Sequence, residues 1–380
     1  MKNVLFITHY SEMYGANQSM LQLILELRNN FKIKPIVLLP RNGAICEIFD
    51  KENIPYKVSH FYWWVNEDRG IIQFLMNLRK QKINYFKVKK YALLFDERID
   101  LIYSNSITIN IGFFLKKHLK IPHIWHIRES IEQFDFKLTL GHYLSKKLLK
   151  NGADRYILIS DYLCGYYHGL LPQEKVLKVY NGIDFSISCN RLENKDKILH
   201  LCMVGLLSEQ KNNFEAIEAI HILKSKYKFD TVRLHLIGRS KEGYMELLNE
   251  YILANKLENL IEFHGHKSNV HELLDTMQIG LMCSRDEAFG RVSVEYMLHS
   301  MPVIASISGA NTEIVKEGIN GYLYDIYNAE ELADNIYRFI EKPELLESIG
   351  KMAYNYAKIN FSSEKNTREI YEIINQLITK

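Results

Sequence analysis

Short apolar segments alternate with amphipathic segments of helical period along most of the 380-residue chain. Strands and helices that alternate in this way predict parallel sheets covered by helices on both faces. Two such series are present, so we expect an α/β chain of two doubly wound, Rossmann-like domains that face each other across a cleft. The predicted strands are "NVLFIT" (followed by a helix over residues 16–28), "KPIVLLP", "DLIYSNS", "PHIWHI", "RYILIS" and "KVLKVYNG" in the first series, and "ILHLCMVG", "VRLHLIG", "LIEFHG", "QIGLMCS" and "PVIAS" in the second.

The segment "DFSISCNRLENKDK", residues 184–197, is polar and has no apolar period, so it predicts the join between the domains. Residues 1–184 carry 26 Lys and Arg against 17 Asp and Glu, a net charge of +9, and the remainder of the chain carries −6. A cationic half beside an anionic half indicates that the first domain faces something negative. Nucleic acid is not expected as a partner, because no binding motif accompanies the charge.

The five cysteines are odd in number, scattered and without a C-x-x-C pair, which is typical of reduced thiols in a cytosolic protein. No apolar run approaches the roughly 18 residues that span a bilayer. The apolar segment within "MKNVLFITHY" is too short for a signal peptide. We therefore expect a cytoplasmic protein, with peripheral attachment to the inner face of the cell membrane left open.

The stretch "SRDEAFGRVSVEYMLHSMPVIAS", residues 284–306, combines four features at one predicted strand end. Gly290 lets backbone N–H groups approach a ligand at a helix start. The guanidinium group of Arg291 can donate two parallel hydrogen bonds to phosphate oxygens. Glu287 on the loop and Glu295 in the helix can each accept sugar hydroxyls. A capped helix with a salt-bridged glutamate would not explain this convergence, so the stretch predicts a ligand site.

Other strand-end residues carry weaker signals that a structural role would also explain. Gly15, in the loop "MYGANQ", suits an anion at a helix N-terminus or a simple turn. His126, in "WHIRES", is a ligand contact or a core histidine. Lys211, in "VGLLSEQKNN", suits phosphate or a solvated surface. Arg239 in "IGRS" and His266 in "FHGHKSN" also follow predicted strands.

The motif "EAFGRVSVE" resembles the E-x7-E signature of the retaining family-four glycosyltransferases, which have the GT-B fold. The resemblance extends over nearly the whole chain. Its other segments are "YGAN", "WHIRE", "VYNGID", "VGLLSEQKNNFEAIEA" and "ISGANTEIVKEGINGYL". It implies an acceptor domain at residues 1–184, a nucleotide-sugar donor domain at residues 185–361, and a final helix at about residues 362–380 that returns to the first domain.

The resemblance also implies roles for particular residues. Glu295 would bind the ribose, Glu287 would face the transferred sugar, and Lys211 would contact phosphate. One position departs from the family, because Leu206 stands where an Arg is usual; Arg291 or Arg239 could supply the missing charge. The implied catalytic residues are His126 and Glu287, and the implied donor-binding residues are Gly15, Ala16, Lys211, Arg239, His266, Phe289, Gly290, Arg291, Val292 and Glu295.

The expected function is retaining transfer of a sugar from a nucleotide-diphosphate sugar to a glycan or lipid-linked acceptor in cell-surface polysaccharide synthesis. The chain has no D-x-D sequence, so neither a metal nor another cofactor is expected. Two alternatives remain open: a nucleotide-sugar epimerase of similar two-domain shape, and a non-catalytic homologue that binds nucleotide sugars. The nucleotide base, the sugar and the acceptor also remain open.

The segment "LRKQKINYFKVKKYALLF", residues 78–95, mixes Lys and Arg with aromatic and aliphatic residues and contains no acid. The segment "KLTLGHYLSKKLLK", residues 137–150, has the same character. Basic amphipathic segments suit the surface of an anionic bilayer, although a solvated helix face would look similar. We therefore expect that residues 78–95 dock the acceptor domain on an anionic membrane surface.

Overall fold

The computed structural model describes residues 1–66, 70–131, 136–185, 197–267 and 269–379. The chain forms two compact units. The first unit comprises Met1–Gly182 and Ser363–Lys380, and the second comprises Ile183–Ser362. Most of the predicted join at residues 184–197, including Cys189, lies outside the described residues.

The first unit is built on a parallel sheet of seven strands in the order β3-β2-β1-β5-β6-β8-β9. Its central strands are almost wholly apolar because helices cover both faces. Strands β4 and β7 form a separate two-stranded antiparallel sheet. The strands are β1 (Lys2–Ile7), β2 (Ile33–Leu39), β3 (Tyr56–Val58), β4 (Val65–Asn66), β5 (Leu101–Ser104), β6 (His123–Ile127), β7 (Lys137–Leu138), β8 (Arg155–Leu158) and β9 (Val176–Lys178).

Alternate residues of β1 enter two different apolar clusters, because successive side chains of a strand point to opposite faces. Val4 and Phe6 pack with helices α1, α2 and α14, whereas Leu5 and Ile7 pack with α3 and α4. This pattern places a separate core on each face of the sheet. The helices of the unit are α1 (Gly15–Phe31), α2 (Ala44–Lys51), α3 (Ile71–Ala92), α4 (Ile111–Leu119), α5 (Gly141–Lys150), α6 (Asp161–Tyr166) and α14 (Ser363–Ile378).

The second unit is built on a parallel sheet of six strands in the order β12-β11-β10-β13-β14-β15. Its strands are β10 (Leu199–Val204), β11 (Val232–Ile237), β12 (Ile261–Gly265), β13 (Ile279–Met282), β14 (Val303–Ser306) and β15 (Gly321–Tyr324). Its helices are α7 (Asn213–Ser225), α8 (Tyr244–Ala254), α9 (His271–Leu274), α10 (Arg291–Leu298), α11 (Asn311–Ile314), α12 (Ala329–Glu341) and α13 (Glu344–Phe361).

Helix α10, which carries Glu295, lies close against this sheet because Gly280 has no side chain. A Cβ at Gly280 would lie 2.1 Å from the ring of Tyr296. The hydroxyl of the buried Tyr296 also accepts a hydrogen bond of 2.7 Å from the backbone N–H of Val204. These two contacts hold α10 over the centre of the sheet.

The predicted α/β class with two parallel sheets is confirmed. Four strands were not predicted: β3 is short and mostly exposed, β4 and β7 have only two residues each, and β15 begins with a glycine. Among the described residues, Cys46, Cys202 and Cys283 are buried free thiols. No helix in the described part of the chain has both the length and the apolar character needed to cross a bilayer.

Candidate functional site

Four loops of the second unit follow the neighbouring strands β11, β10, β13 and β14, and backbone hydrogen bonds tie them to one another. The carboxyl ends of parallel strands share one edge of the sheet, which is where ligands bind in such folds. The loops therefore form one continuous candidate site. The bonds run from Leu207 N to Arg239 O (2.8 Å), from Arg285 N to Gln210 O (2.8 Å) and from Ala310 N to Glu287 O (2.7 Å).

Lys211 and Glu287 form an ion pair within this site. Lys211 Nζ donates to Glu287 Oε2 over 2.6 Å, and the side chains are only 27% and 14% exposed. The lysine precedes α7, whereas the glutamate follows β13. The structure thus brings together two residues that the sequence predicted separately.

A second ion pair lies at the start of α10. Gly290 caps the helix with a left-handed backbone, at φ 84°. Arg291 Nε donates to Glu295 Oε1 over 2.9 Å, one helical turn further on. The first turn of α10 contains no acidic residue, so its N–H groups and Arg291 together favour an anion.

Two buried polar atoms near Gly290 have no hydrogen-bond partner among the described residues: Ser293 Oγ and Asn311 Oδ1. Both lie 3.6 Å from the position that a Cβ on Gly290 would occupy, as does the Cγ atom of Glu287. Buried polar atoms normally find a partner. Their proximity marks the start of α10 as a place where a polar ligand would be accepted.

The other predicted donor-binding residues of this unit do not converge in the same way. Phe289 is buried and packs edge-on against Phe361, with ring centroids 5.7 Å apart, and its donor role stays a prediction. Val292 is half-buried, and the side chains of Arg239 and His266 are exposed. Leu206 is 49% exposed, so the position of the usual family Arg carries no charge here.

His126, the predicted catalytic residue of the first unit, lies at the end of β6 and is fully buried. The Tyr103 hydroxyl and Arg128 Nη2 both donate to its Nδ1, the latter over 3.2 Å. Nε2 therefore carries the proton, and it has no partner among the described residues. Burial and the Arg128 charge hold the pKa of His126 well below its ordinary value, so the ring is a neutral N–H donor. Its catalytic role stays a prediction.

Arg128 links the ends of three strands in the first unit. Its guanidinium donates to Asn105 Oδ1 over 2.7 Å and to Asn181 Oδ1, after β5 and β9 respectively. The neighbouring Glu129 is also buried, and burial raises the pKa of its carboxyl group. The network is charged, and the sequence assigns a site role only to its histidine.

Gly15 and Ala16 begin α1. A Cβ at Gly15 would meet nothing within 4 Å, so open space lies beside the backbone there. The Ala16 carbonyl accepts a hydrogen bond of 3.1 Å from Asn105 Nδ2. The preceding loop is held by Asn17, whose Nδ2 donates to Glu12 O over 2.8 Å. The loop is ordered and has room for a ligand, and its donor role stays a prediction.

A cavity of about 590 Å³ opens beside the ends of β1 and β2 in the first unit. His9 lines it, burial lowers the pKa of His9 to about 3, and its Nδ1 has no partner among the described residues. The sequence marks the nearby loop "MYGANQ" as a strand-end loop and does not single out His9. The other lining residues are Tyr10, Pro40, Arg41, His60, Phe61, Tyr62, Trp63, Val65, Asn66, Gln73, Asn77, Lys80 and Phe136.

Comparison with known proteins gives the family. The model of the family described as "Glycosyl transferases group 1" matches residues 187–356. An uncharacterized glycosyltransferase of Methanocaldococcus jannaschii is 31% identical over 297 residues, which make up 76% of this chain and 80% of that protein. A capsular polysaccharide biosynthesis glycosyltransferase of Staphylococcus aureus is 25% identical over 52% of this chain and 53% of its own length.

Solved structures agree on the fold. HepE of Anabaena in complex with UDP-glucose matches with a TM-score of 0.78 and 22% identity, over 99% of this chain and 100% of that chain. The sucrose-phosphate synthase of Thermosynechococcus elongatus matches with a TM-score of 0.78 and 16% identity, over the whole of both chains. Likeness at this level of identity shows the GT-B fold of two Rossmann-like domains. The family model and the 31% identity to the Methanocaldococcus jannaschii glycosyltransferase establish that the chain belongs to the group 1 glycosyltransferases.

Proposed function

We propose that this chain is a retaining, metal-independent hexosyltransferase. It moves a sugar from a nucleotide-diphosphate sugar to a glycan or lipid-linked acceptor in cell-surface polysaccharide synthesis. The observation that carries the proposal is the pairing of Lys211 with Glu287 beside the N-terminus of α10, where Arg291 pairs with Glu295. Two cations, a helix N-terminus and two carboxylates then lie on tied loops at one sheet edge.

Each part of the donor has a matching group at this edge. The diphosphate suits the first N–H groups of α10 together with Lys211 and Arg291. The ribose hydroxyls suit the carboxylate of Glu295, and the hydroxyls of the transferred sugar suit Glu287. UDP is the first nucleotide to test, because the similar Anabaena structure was solved with UDP-glucose.

The proposed reaction breaks the bond between the anomeric carbon and the diphosphate oxygen, and the bonding electrons leave with the diphosphate. The acceptor oxygen attacks the same face of the sugar, and its proton passes to the departing diphosphate. Negative charge therefore develops where Lys211, Arg291 and the α10 N–H groups lie, and fixed donors stabilise such charge strongly. These cations take the part that a divalent ion plays in other sugar transferases.

We assign the acceptor saccharide to the cavity lined by His9 in the first unit. Aromatic side chains dominate its wall, among them Tyr62, Trp63 and Phe136, and Arg41 and Lys80 add positive charge. Half of the lining residues are polar or charged and can bond to sugar hydroxyls, and aromatic faces pack well on sugar C–H groups. The cations would suit an acceptor that carries a phosphate.

The surface of α3 supports a lipid-linked acceptor, because the polarity of the first part of the helix is inverted, whereas Val88 and Tyr91 near its end pack in the core. The helix buries amides: Gln81 Nε2 donates to Trp63 O over 2.8 Å, and Asn84 Nδ2 donates to Tyr62 O over 2.8 Å. The aliphatic residues at its start are left outside, with Ile71 80% exposed. A helix on a soluble core shows the reverse arrangement. The exposed apolar residues of this helix are Ile71, Ile72, Phe74, Leu75, Met76, Tyr85 and Phe86.

Positive charge accompanies this apolar surface. Arg79, Lys82, Lys89 and Lys90 are exposed on the same helix. On α5, Tyr143 and Leu144 are 77% and 51% exposed, beside further lysines. Exposed apolar groups among basic ones suit an anionic bilayer, at about 1 kcal/mol per basic residue near its surface. We therefore propose docking of the first unit on the cytoplasmic face of the cell membrane, with the start of α3 added to the segment at residues 78–95.

A second candidate function is binding of nucleotide sugars without turnover. The uncharged, half-exposed Leu206 favours it, as does the engagement of both Lys211 and Arg291 by carboxylates. Such a protein would bind a nucleotide diphosphate and consume no donor with any acceptor.

A thermal-shift screen with UDP, GDP and ADP and their sugars tests the proposal, because a ligand that binds only the folded state raises the Tm. We expect a rise with one nucleotide and its sugar, and donor consumption that depends on an added lipid-linked saccharide. Donor isomerised without acceptor would indicate an epimerase, and binding without consumption would indicate the non-catalytic function. No shift with any nucleotide would refute the donor site.

A further inference from the structure

Three histidines and a glutamate lie next to one another on the six-stranded sheet, outside the candidate donor site. His200 is on β10, His235 on β11, and Glu262 and His264 on β12. The pairing of β11 with β12 is in register up to Leu236 and shifts by one residue before Ile237. His264 is the extra residue of this bulge, and bulges re-aim side chains.

The bulge brings three potential metal ligands together. His235 Nδ1 lies 2.8 Å from His264 Nε2. Glu262 Oε2 lies 3.5 Å from His235 Nδ1, and Glu262 Oε1 lies 3.5 Å from His264 Nε2. Ligand atoms on a tetrahedral zinc, with bonds of about 2.0–2.1 Å, are separated by about 3.3 Å. Each carboxylate oxygen is near this distance from one of the two nitrogens, so a small rotation of the exposed carboxylate brings one oxygen to the metal, and the two nitrogens need to part by only about 0.5 Å.

His200 occupies the place of a supporting group. Its Nδ1 lies 2.8 Å from Nε2 of His235, the ring nitrogen that does not face His264. With a metal on Nδ1 of His235, Nε2 carries the proton and donates it to His200. Metal-binding histidines usually have such a second partner, which fixes the ring and its tautomer.

The cluster is reachable from solvent on one side only. His235 and His264 have side chains 6% and 13% exposed, whereas Glu262 is 47% exposed. Burial also lowers the pKa of His264, which favours the neutral form that binds metals. An ion could therefore enter beside Glu262, with water completing its coordination.

We propose that His235, Glu262 and His264 bind one divalent transition-metal ion of the zinc class. Two imidazoles and one carboxylate suit zinc, cobalt or nickel, and they do not suit magnesium or calcium. The ion ties β11 to the edge strand β12 and takes no part in sugar transfer. In its absence the three imidazoles are linked by two hydrogen bonds of 2.8 Å between ring nitrogens, so the metal-free chain also folds.

The test is a calorimetric titration of Zn²⁺ into chelator-treated, untagged protein, with Co²⁺ absorption as a second readout. We expect Glu262→Gln and His264→Ala to remove one site and the tetrahedral Co²⁺ signal, and His200→Ala to weaken that site about 10- to 100-fold. Matched controls are Glu258→Gln and His118→Ala, at exposed positions elsewhere, which should bind as the wild type does.

Glu262 is half-exposed, so Glu262→Gln should remain folded and keeps the test decisive. Zn²⁺ should raise the Tm of the wild type and of both controls, and Mg²⁺ should not. The proposal is overturned if the wild type binds no Zn²⁺, or if Glu262→Gln and His264→Ala bind it with unchanged number and affinity.

Discussion

Lys211 and Glu287, 76 positions apart in the chain, are joined by an ion pair of 2.6 Å between Nζ and Oε2. The pair connects the loop that is expected to hold the diphosphate with the loop that is expected to hold the sugar. Each group therefore neutralises the other while no donor is bound. A diphosphate that recruits Lys211 would leave the Glu287 carboxylate available to sugar hydroxyls.

Glu287→Gln should reduce sugar transfer roughly 10- to 100-fold, because it removes a charge-assisted hydrogen bond to the sugar worth about 1.5–3 kcal/mol. Nucleotide diphosphate affinity should stay within a few-fold of the wild-type value, because the neutral amide forms no ion pair with Lys211. Transfer kinetics and calorimetry on the same preparations separate the two effects. An equal loss of transfer and nucleotide affinity would show that Glu287 contacts the nucleotide rather than the sugar.

Transfer activity should survive EDTA, because Lys211, Arg291 and the α10 N-terminus supply the positive charge that faces the leaving diphosphate. The measurement is donor consumption before and after chelation, with Mg²⁺ and Mn²⁺ added back. Complete loss on chelation, restored by either ion, would show that a metal takes part in the reaction.

Acid should destabilise the first unit through its buried histidines. Burial lowers the pKa of His9 to about 3 and that of His123 to about 4. Between these values and the ordinary pKa, the unfolded chain therefore binds protons at these histidines and the folded chain does not. Stability is therefore lost as pH falls below the ordinary value of about 6.5, by up to about 1.4 kcal/mol per pH unit for each group.

His9→Gln isolates one of these groups. The stability advantage of wild type over this variant in urea unfolding should shrink by about 2 kcal/mol between pH 6.5 and pH 5. His118→Gln, at an exposed position on α4, is the matched control. Parallel pH curves for wild type and His9→Gln would contradict the burial of an uncharged His9.

The protein should co-sediment with anionic vesicles and not with neutral ones, and salt should weaken the binding. The triple change of Lys87, Lys89 and Lys90 to Glu should abolish it. Lys342, Lys351 and Lys358 are exposed on the second unit. The same charge change at these three positions should reduce vesicle binding much less. Ile71→Ser should weaken binding without any change of charge. Wild-type protein that stays in the supernatant at low salt would exclude membrane docking.

The fold was predictable because strand and helix periods are local. The strands "NVLFIT" and "ILHLCMVG" lie where their apolar runs placed them, since both sheet faces are covered. The sequence also marked the E-x7-E stretch, because a glycine, an arginine and two carboxylates stand within nine residues of one another.

The side-chain partnerships were not predictable, because they join residues far apart in the chain. Nothing near Lys211 indicates that Glu287 neutralises it, and nothing near His9 indicates that aromatic residues surround it. The inverted polarity of α3 escaped notice because its buried amides bond to backbone groups of residues 62 and 63. The His235–Glu262–His264 cluster depends on a strand bulge, which leaves no signal in the local pattern.

The most direct test of the central claim is calorimetric titration of UDP, or of the nucleotide that the screen identifies, into wild type, Lys211→Ala and Glu295→Ala. The claim predicts losses of about 1.5–3 kcal/mol in each variant, or roughly 10- to 100-fold in Kd. Lys351→Ala and Glu250→Ala, at exposed positions on α13 and α8, should bind as wild type does. Unchanged Kd in both Lys211→Ala and Glu295→Ala, with the proteins folded, would contradict the assignment of the donor site.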